Sequence, residues 1–135
     1  IVSQIDLFRS FASILGKRIP ADAAPDSFDR MANFTGASTV DRPWVVQQAL
    51  NRSLGLRTPE WKYVEPTDDD PVIKWNPEVR TGYSPVPRLF DMTADPQETD
   101  NLSEKEPEKT NELARVLRLV RAGDYKTLDA LGLKP

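Results

Sequence analysis

Trp44-Val45-Val46-Gln47-Gln48-Ala49-Leu50, Ser53-Leu54-Gly55-Leu56-Arg57 and Trp61-Lys62-Tyr63-Val64 decide the fold. Most of each run is β-branched, aromatic or otherwise apolar, as in strands. The connections Asn51-Arg52 and Thr58-Pro59-Glu60 are short enough for antiparallel hairpins. Alternation in the third run puts Trp61 and Tyr63 on one face and Lys62 on the other. A fourth strand, Arg88-Leu89-Phe90-Asp91-Met92, follows after a gap. That gap, residues 65–87, contains five of the twelve prolines, at 66, 71, 77, 85 and 87. It reads as one long exposed loop, because proline neither donates to a strand ladder nor continues a helix.

Downstream, Ala94-Asp95-Pro96-Gln97-Glu98-Thr99-Asp100-Asn101 is rich in turn formers and leads to a long helix. Pro107 suits its first turn, Leu113, Val116, Leu117 and Val120 form its buried stripe, and Gly123 closes it. A short tail follows, with Leu128, Leu131 and Leu133. Upstream, the spacing predicts a first helix that Ser3 caps, with Asp6 facing its positive end and Gly16 stopping it. Ile5, Leu7, Phe8, Phe11, Ala12, Ile14 and Leu15 give it an apolar face too broad for the next thirty residues to cover. Residues 17–43 read as linker with one short helix, capped by Pro25-Asp26-Ser27 and stopped by Gly36. The class is α+β: a small antiparallel sheet of about four strands packed by a C-terminal helix.

The chain has 135 residues, 18 Lys+Arg against 21 Asp+Glu, net charge -3, and neither Cys nor His. One domain of this size buries a core without staples. Without Cys there is no disulfide and no thiolate metal site. Without His, the usual general base and metal ligand are missing, and Ser-His-Asp and Cys-His nucleophiles are excluded. A mildly acidic balance argues against nucleic acid. No apolar run approaches the roughly 18–20 residues that span a bilayer, which argues against a membrane segment. The chain opens at Ile1, without Met or a signal-peptide pattern, and is at once amphipathic, as expected of a piece of something longer.

Asp68-Asp69-Asp70 suggests a hard cation, but consecutive side chains diverge, so a solvated turn is expected. Asp91, Asp95, Glu98 and Asp100 supply paired carboxylates, yet they crowd a turn where such residues bond local backbone. Arg57, Lys62 and Arg80 beside Trp61, Tyr63 and Trp75 could hold an anion or a sugar ring or stack on single-stranded nucleic acid; packing of a half-buried sheet face is the expectation. Asn33, Asn51 and Asn101 head N-x-S/T sequons. No glycine-rich phosphate loop is present. These residues give no catalytic, cofactor-binding or metal site.

The order of motifs resembles the sulfatase family. Val2-Ser3-Gln4-Ile5-Asp6-Leu7-Phe8, then Ala12-Ser13-Ile14-Leu15-Gly16, is similar to that family's V-S-x-x-D-L-x-P-T-x-x-x-L-A-G segment. Asp26-Ser27-Phe28 with Gly36 follows its D-G-x-S/D-x-x-x-x-L-x-G stretch. Leu56-Arg57-Thr58 with Trp61-Lys62-Tyr63-Val64 resembles A-I-R-x-G-x-W-K-Y/L-I. Arg88-Leu89-Phe90-Asp91-Met92 through Asp95-Pro96, Glu98, Asn101 and Leu102 resembles x-E-L-Y-D-L-x-x-D-P-x-E-x-x-N-L, the most specific match. Phe8-Arg9-Ser10 and Thr58-Pro59-Glu60 depart from the family pattern and leave subfamily and substrate open.

The resemblance covers nearly the whole chain but only the C-terminal region of a sulfatase. It implies that residues 1–43 are the helical end of an alkaline-phosphatase-like α/β catalytic domain plus a linker, with 44–135 as a C-terminal subdomain. It implies a parent that hydrolyses sulfate esters of small molecules or glycans with a formylglycine and a divalent ion such as calcium. None of those residues transfers here. Ser84-Pro85-Val86-Pro87-Arg88 misses C/S-x-P-x-R by one place, and Asp68-Asp69 does not match the family's metal pair. The chain alone is then catalytically silent, partnered by the absent domain, or self-paired through its apolar helix. A periplasmic, extracellular or lysosomal setting goes with the family. The alternative is a free-standing α+β binding module.

Overall fold

A computed structural model describes residues 1–20, 22–49, 53–68, 70 and 72–133. Leu50, Asn51, Arg52, Asp69 and Pro71, and with them the Asn51-Arg52 connection and all of the Asn51 sequon but Ser53, lie outside the described residues.

Four strands form one antiparallel sheet: β1 (Val45–Gln48), β2 (Leu54–Arg57), β3 (Trp61–Val64) and, after a long excursion, β6 (Arg88–Asp91). Val46, Leu56, Tyr63 and Leu89 pair across it in one row. Side chains alternate across a sheet, so this row and Trp61 face one side. Covering that side is α3 (Pro107–Ala122), which starts on Pro107 and ends at Gly123 with φ 67°. That left-handed turn suits a residue without a Cβ. Trp44, Leu56, Tyr63, Leu89, Leu113, Val116, Leu117 and Leu128 form the core between the layers.

Three expectations are corrected, two of them in the second half of the chain. Residues 65–87 are not all loop: β4 (Val72–Ile73) and β5 (Asn76–Arg80) pair as a separate two-stranded sheet. Pro77 is tolerated in β5 because this small ribbon leaves an open edge for a residue with no N–H. The C-terminal tail is also helical, as α4 (Tyr125–Ala130), because the Asp124 side chain accepts the Thr127 N–H at 3.1 Å and caps it. α4 inserts Leu128 into the core, and Trp44 Nε1 donates to the Leu133 carbonyl at 2.7 Å.

The N-terminal segment is a 3-10 turn (Gln4–Asp6) running into α1 (Leu7–Ile14). Beyond it, α2 is only Met31–Phe34, and Asp26 and Ser27 do not cap it. Its entry is held by Asp29 Oδ1, which accepts the Met31 N–H at 3.0 Å.

Candidate functional site

Asp6 does not serve mainly as a helix-end charge. It is fully buried, and Arg42, also fully buried, donates Nη1 to both its oxygens at 2.9 and 3.1 Å. The N–H groups of Phe28 and Ser3 complete its coordination at 3.0 and 2.8 Å. Arg42 also donates to the carbonyls of Trp44 and Asp26 and lies 4.5 Å from the Phe28 ring centre. Burial lowers the Arg42 pKa, and Asp6 opposes that shift. Ser10 joins in, accepting the Arg30 N–H at 2.9 Å. Tyr125 donates its O–H to Asp26; burial first, then this bond, pushes the phenol pKa up to about 12. The network thus ties α1 to the linker, the start of β1 and α4.

The polar side of α1 is therefore the side it buries. Phe8, Phe11, Ile14 and Leu15 are 54–70% exposed. Val2, Ile5 and Leu7 are exposed as well. A contiguous apolar face of this kind marks an interaction surface.

The second feature lies on the sheet face opposite α3, where Gln47, Gly55, Val64 and Arg88 form a row. Thr81, Gly82 and Tyr83 return from the β4–β5 excursion against it, enclosing a cleft of about 410 Å³. Lys62 reaches this face and pairs with Glu98 at 2.6 and 2.7 Å. Glu98 holds φ 59°, a costly backbone for a residue with a Cβ. Ser53 Oγ, Tyr83 OH and Arg88 Nε are buried without a hydrogen-bond partner. Among the described residues only Arg30 Nε shares that state.

The carboxylates singled out in the sequence do not converge. Asp91 Oδ1 accepts Thr93 N–H, Thr93 O–H and Ala94 N–H, and Asp95 accepts from Thr99 and Asp100. The Thr93 hydroxyl lowers the Asp91 pKa first, and the Asp100 N–H that of Asp95. Asp100 pairs with Lys105, and Asp70 with Lys74. No group of His, Cys, Asp or Glu among the described residues is arranged to hold a metal ion. The cation–aromatic set also separates: Tyr63 is buried in the core, and Trp75 is 82% exposed on the Lys74-Trp75 turn. Asn101 serves structure, accepting the Leu89 and Ser103 N–H groups and donating to Pro87, and Asn33 donates to Ser38 and Val40. Among the described residues, no helix is long and apolar enough to cross a membrane.

No family model matches the chain. An N-acetylgalactosamine-6-O-sulfatase of Bacteroides thetaiotaomicron is 38% identical over 121 residues, 90% of this chain and 24% of that protein. Arylsulfatase K of Bos taurus is 27% identical over 130 residues, 89% of this chain and 22% of that protein. A solved structure from work on glycosaminoglycan metabolism by Bacteroides thetaiotaomicron superposes with TM-score 0.84 at 38% identity, covering 89% of this chain and 25% of that one. A putative sulfatase of the same organism shares the fold at TM-score 0.56 and 22% identity, covering 91% of this chain and 26% of that one. The chain thus spans about a quarter of the length of these relatives. By sequence and by structure, it is related to the sulfatases and corresponds to their C-terminal part.

Proposed function

We propose that this chain is the C-terminal part of an enzyme that hydrolyses sulfate esters, and that it supports and shapes a catalytic cleft whose reacting groups lie elsewhere in the polypeptide. The observation that carries the reading is 38% identity to a sulfatase sustained over 90% of the chain. That relative's name favours a sulfated amino sugar as substrate. In this reading residues 1–43 close the catalytic domain and 44–135 form the C-terminal subdomain. The outward apolar face of α1 supports it, because its burial requires a partner surface. Family membership brings a formylglycine and a divalent ion such as calcium. The residues here fit neither: no group of carboxylates among the described residues is arranged to hold a metal ion, and the chain has no Cys and no C/S-x-P-x-R. No reaction step is therefore assigned to this chain. An exported or lysosomal setting follows from the same family reading.

The test is sulfate release by the longer polypeptide read in frame with this chain. Expected is hydrolysis of N-acetylgalactosamine 6-sulfate or a related ester by the whole, and none by the 135 residues alone. Removing residues 65–87 should alter preference among esters, since that segment would stand at the rim. Absence of sulfatase activity in the whole would refute the reading.

A further inference from the structure

We infer that the cleft between the sheet and residues 81–83 binds the oxyanion of an acidic sugar, a sulfate or a carboxylate, through Tyr83, Ser53 and Arg88. A buried polar group left without a partner is costly, and native structures keep few of them. Three gather here: Ser53 Oγ from the start of β2, Tyr83 OH from the excursion and Arg88 Nε from the start of β6. All three can donate hydrogen bonds, and an oxyanion accepts several at once. Among the described residues, the cleft is lined by the cations Lys62 and Arg88 and by one carboxylate, Glu98, a positive balance in a chain of net charge -3. Gln47 adds an amide suited to sugar hydroxyls. At about 410 Å³ the space is in the range of small-molecule sites. The donors lie just under the wall, so binding includes a small side-chain adjustment, as is common on association.

The inference deepens the sulfate-ester reading, because it assigns a second contact to the same class of ligand. It concerns binding and requires no hydrolysis, so the two can fail separately. The experiment follows the Arg88 Nε–H resonance of the 135-residue chain by NMR during titration with sodium sulfate, glucuronate and N-acetylgalactosamine 6-sulfate. Neutral N-acetylgalactosamine and sodium chloride of matched ionic strength are the controls. Expected is a saturable shift with at least one anion, and at least about fivefold weaker binding in Tyr83→Phe and Ser53→Ala, each of which removes one donor and keeps the Arg88 reporter. A response to sulfate but not glucuronate assigns the site to sulfate groups, and the reverse to sugar acids. An unmoved resonance up to roughly 50 mM, where even a millimolar site is saturated, overturns the inference. So does a shift that sodium chloride reproduces, or one that Tyr83→Phe leaves unaltered.

Discussion

Residues 44–133 and residues 1–43 are wired in opposite senses. In the first region apolar side chains turn inward, and α3 and α4 close over Leu56, Tyr63 and Leu89. In the second, Asp6, Ser10, Ser27, Arg30 and Arg42 are buried while Phe8, Phe11, Ile14 and Leu15 face outward. Hydrophobic burial is non-directional and follows apolar area, so the first arrangement is held mainly by its core. A buried ion pair is stable only when its geometry and hydrogen bonds offset desolvation. The second region holds to the first through these directional bonds and the Phe28–Trp44 ring contact, and leaves the apolar face of α1 exposed.

The sharpest challenge to this contrast is Arg42→Met, which leaves Asp6 buried without its countercharge. It should cost about 3–5 kcal/mol in urea denaturation. Asp6→Leu combined with Arg42→Met should cost less than the single change, though Phe28 and Ser3 then lose their acceptor. Equal costs would show that the charge pairing itself contributes little. Leu89→Ala probes the apolar region and should cost about 2–5 kcal/mol, scaling with the space left behind.

A smaller effect joins the two regions through Tyr125 and Asp26. The folded pKa of Tyr125, about 12, lies above its ordinary value of 10.0. The folded state thus holds this proton more tightly, and the resulting stability is present below pH 10 and lost as pH rises towards 12. Tyr125→Phe should flatten that alkaline decline in a urea midpoint against pH, while costing about 0.5–1.5 kcal/mol at neutral pH. A decline as steep as the original would remove Tyr125 as the linkage. Smallest of all, Phe8→Ser with Phe11→Ser and Ile14→Ser should each change stability by about 0.5 kcal/mol or less, as exposed positions do. A loss of several kcal/mol would mean that this face packs inside the chain after all.

The sheet was legible from its strand-forming runs and short hairpin, and α3 from its Pro107 and Gly123 brackets. The β4–β5 ribbon was obscured by proline density. The available signal was Val72-Ile73 and Asn76 flanking a two-residue Lys74-Trp75 turn. The Asp6–Arg42 pair was not legible, since its partners lie 36 residues apart and Asp6 already had a local explanation at the helix start. Nor was the cleft, whose Ser53, Tyr83 and Arg88 meet only when β6 returns beside β3. The apolar stripe of α1 was plain in the sequence, as was its need for a partner surface. Only the structure shows that the opposite, polar side does the attaching.

The outward face of α1 is the central claim, and sedimentation of the purified 135-residue chain with a hydrophobic dye present tests it most directly. The account predicts dye binding and self-association, both abolished when Phe8, Phe11 and Ile14 are all serine. A monomer that binds no dye, or association that the three serines leave unchanged, would contradict it.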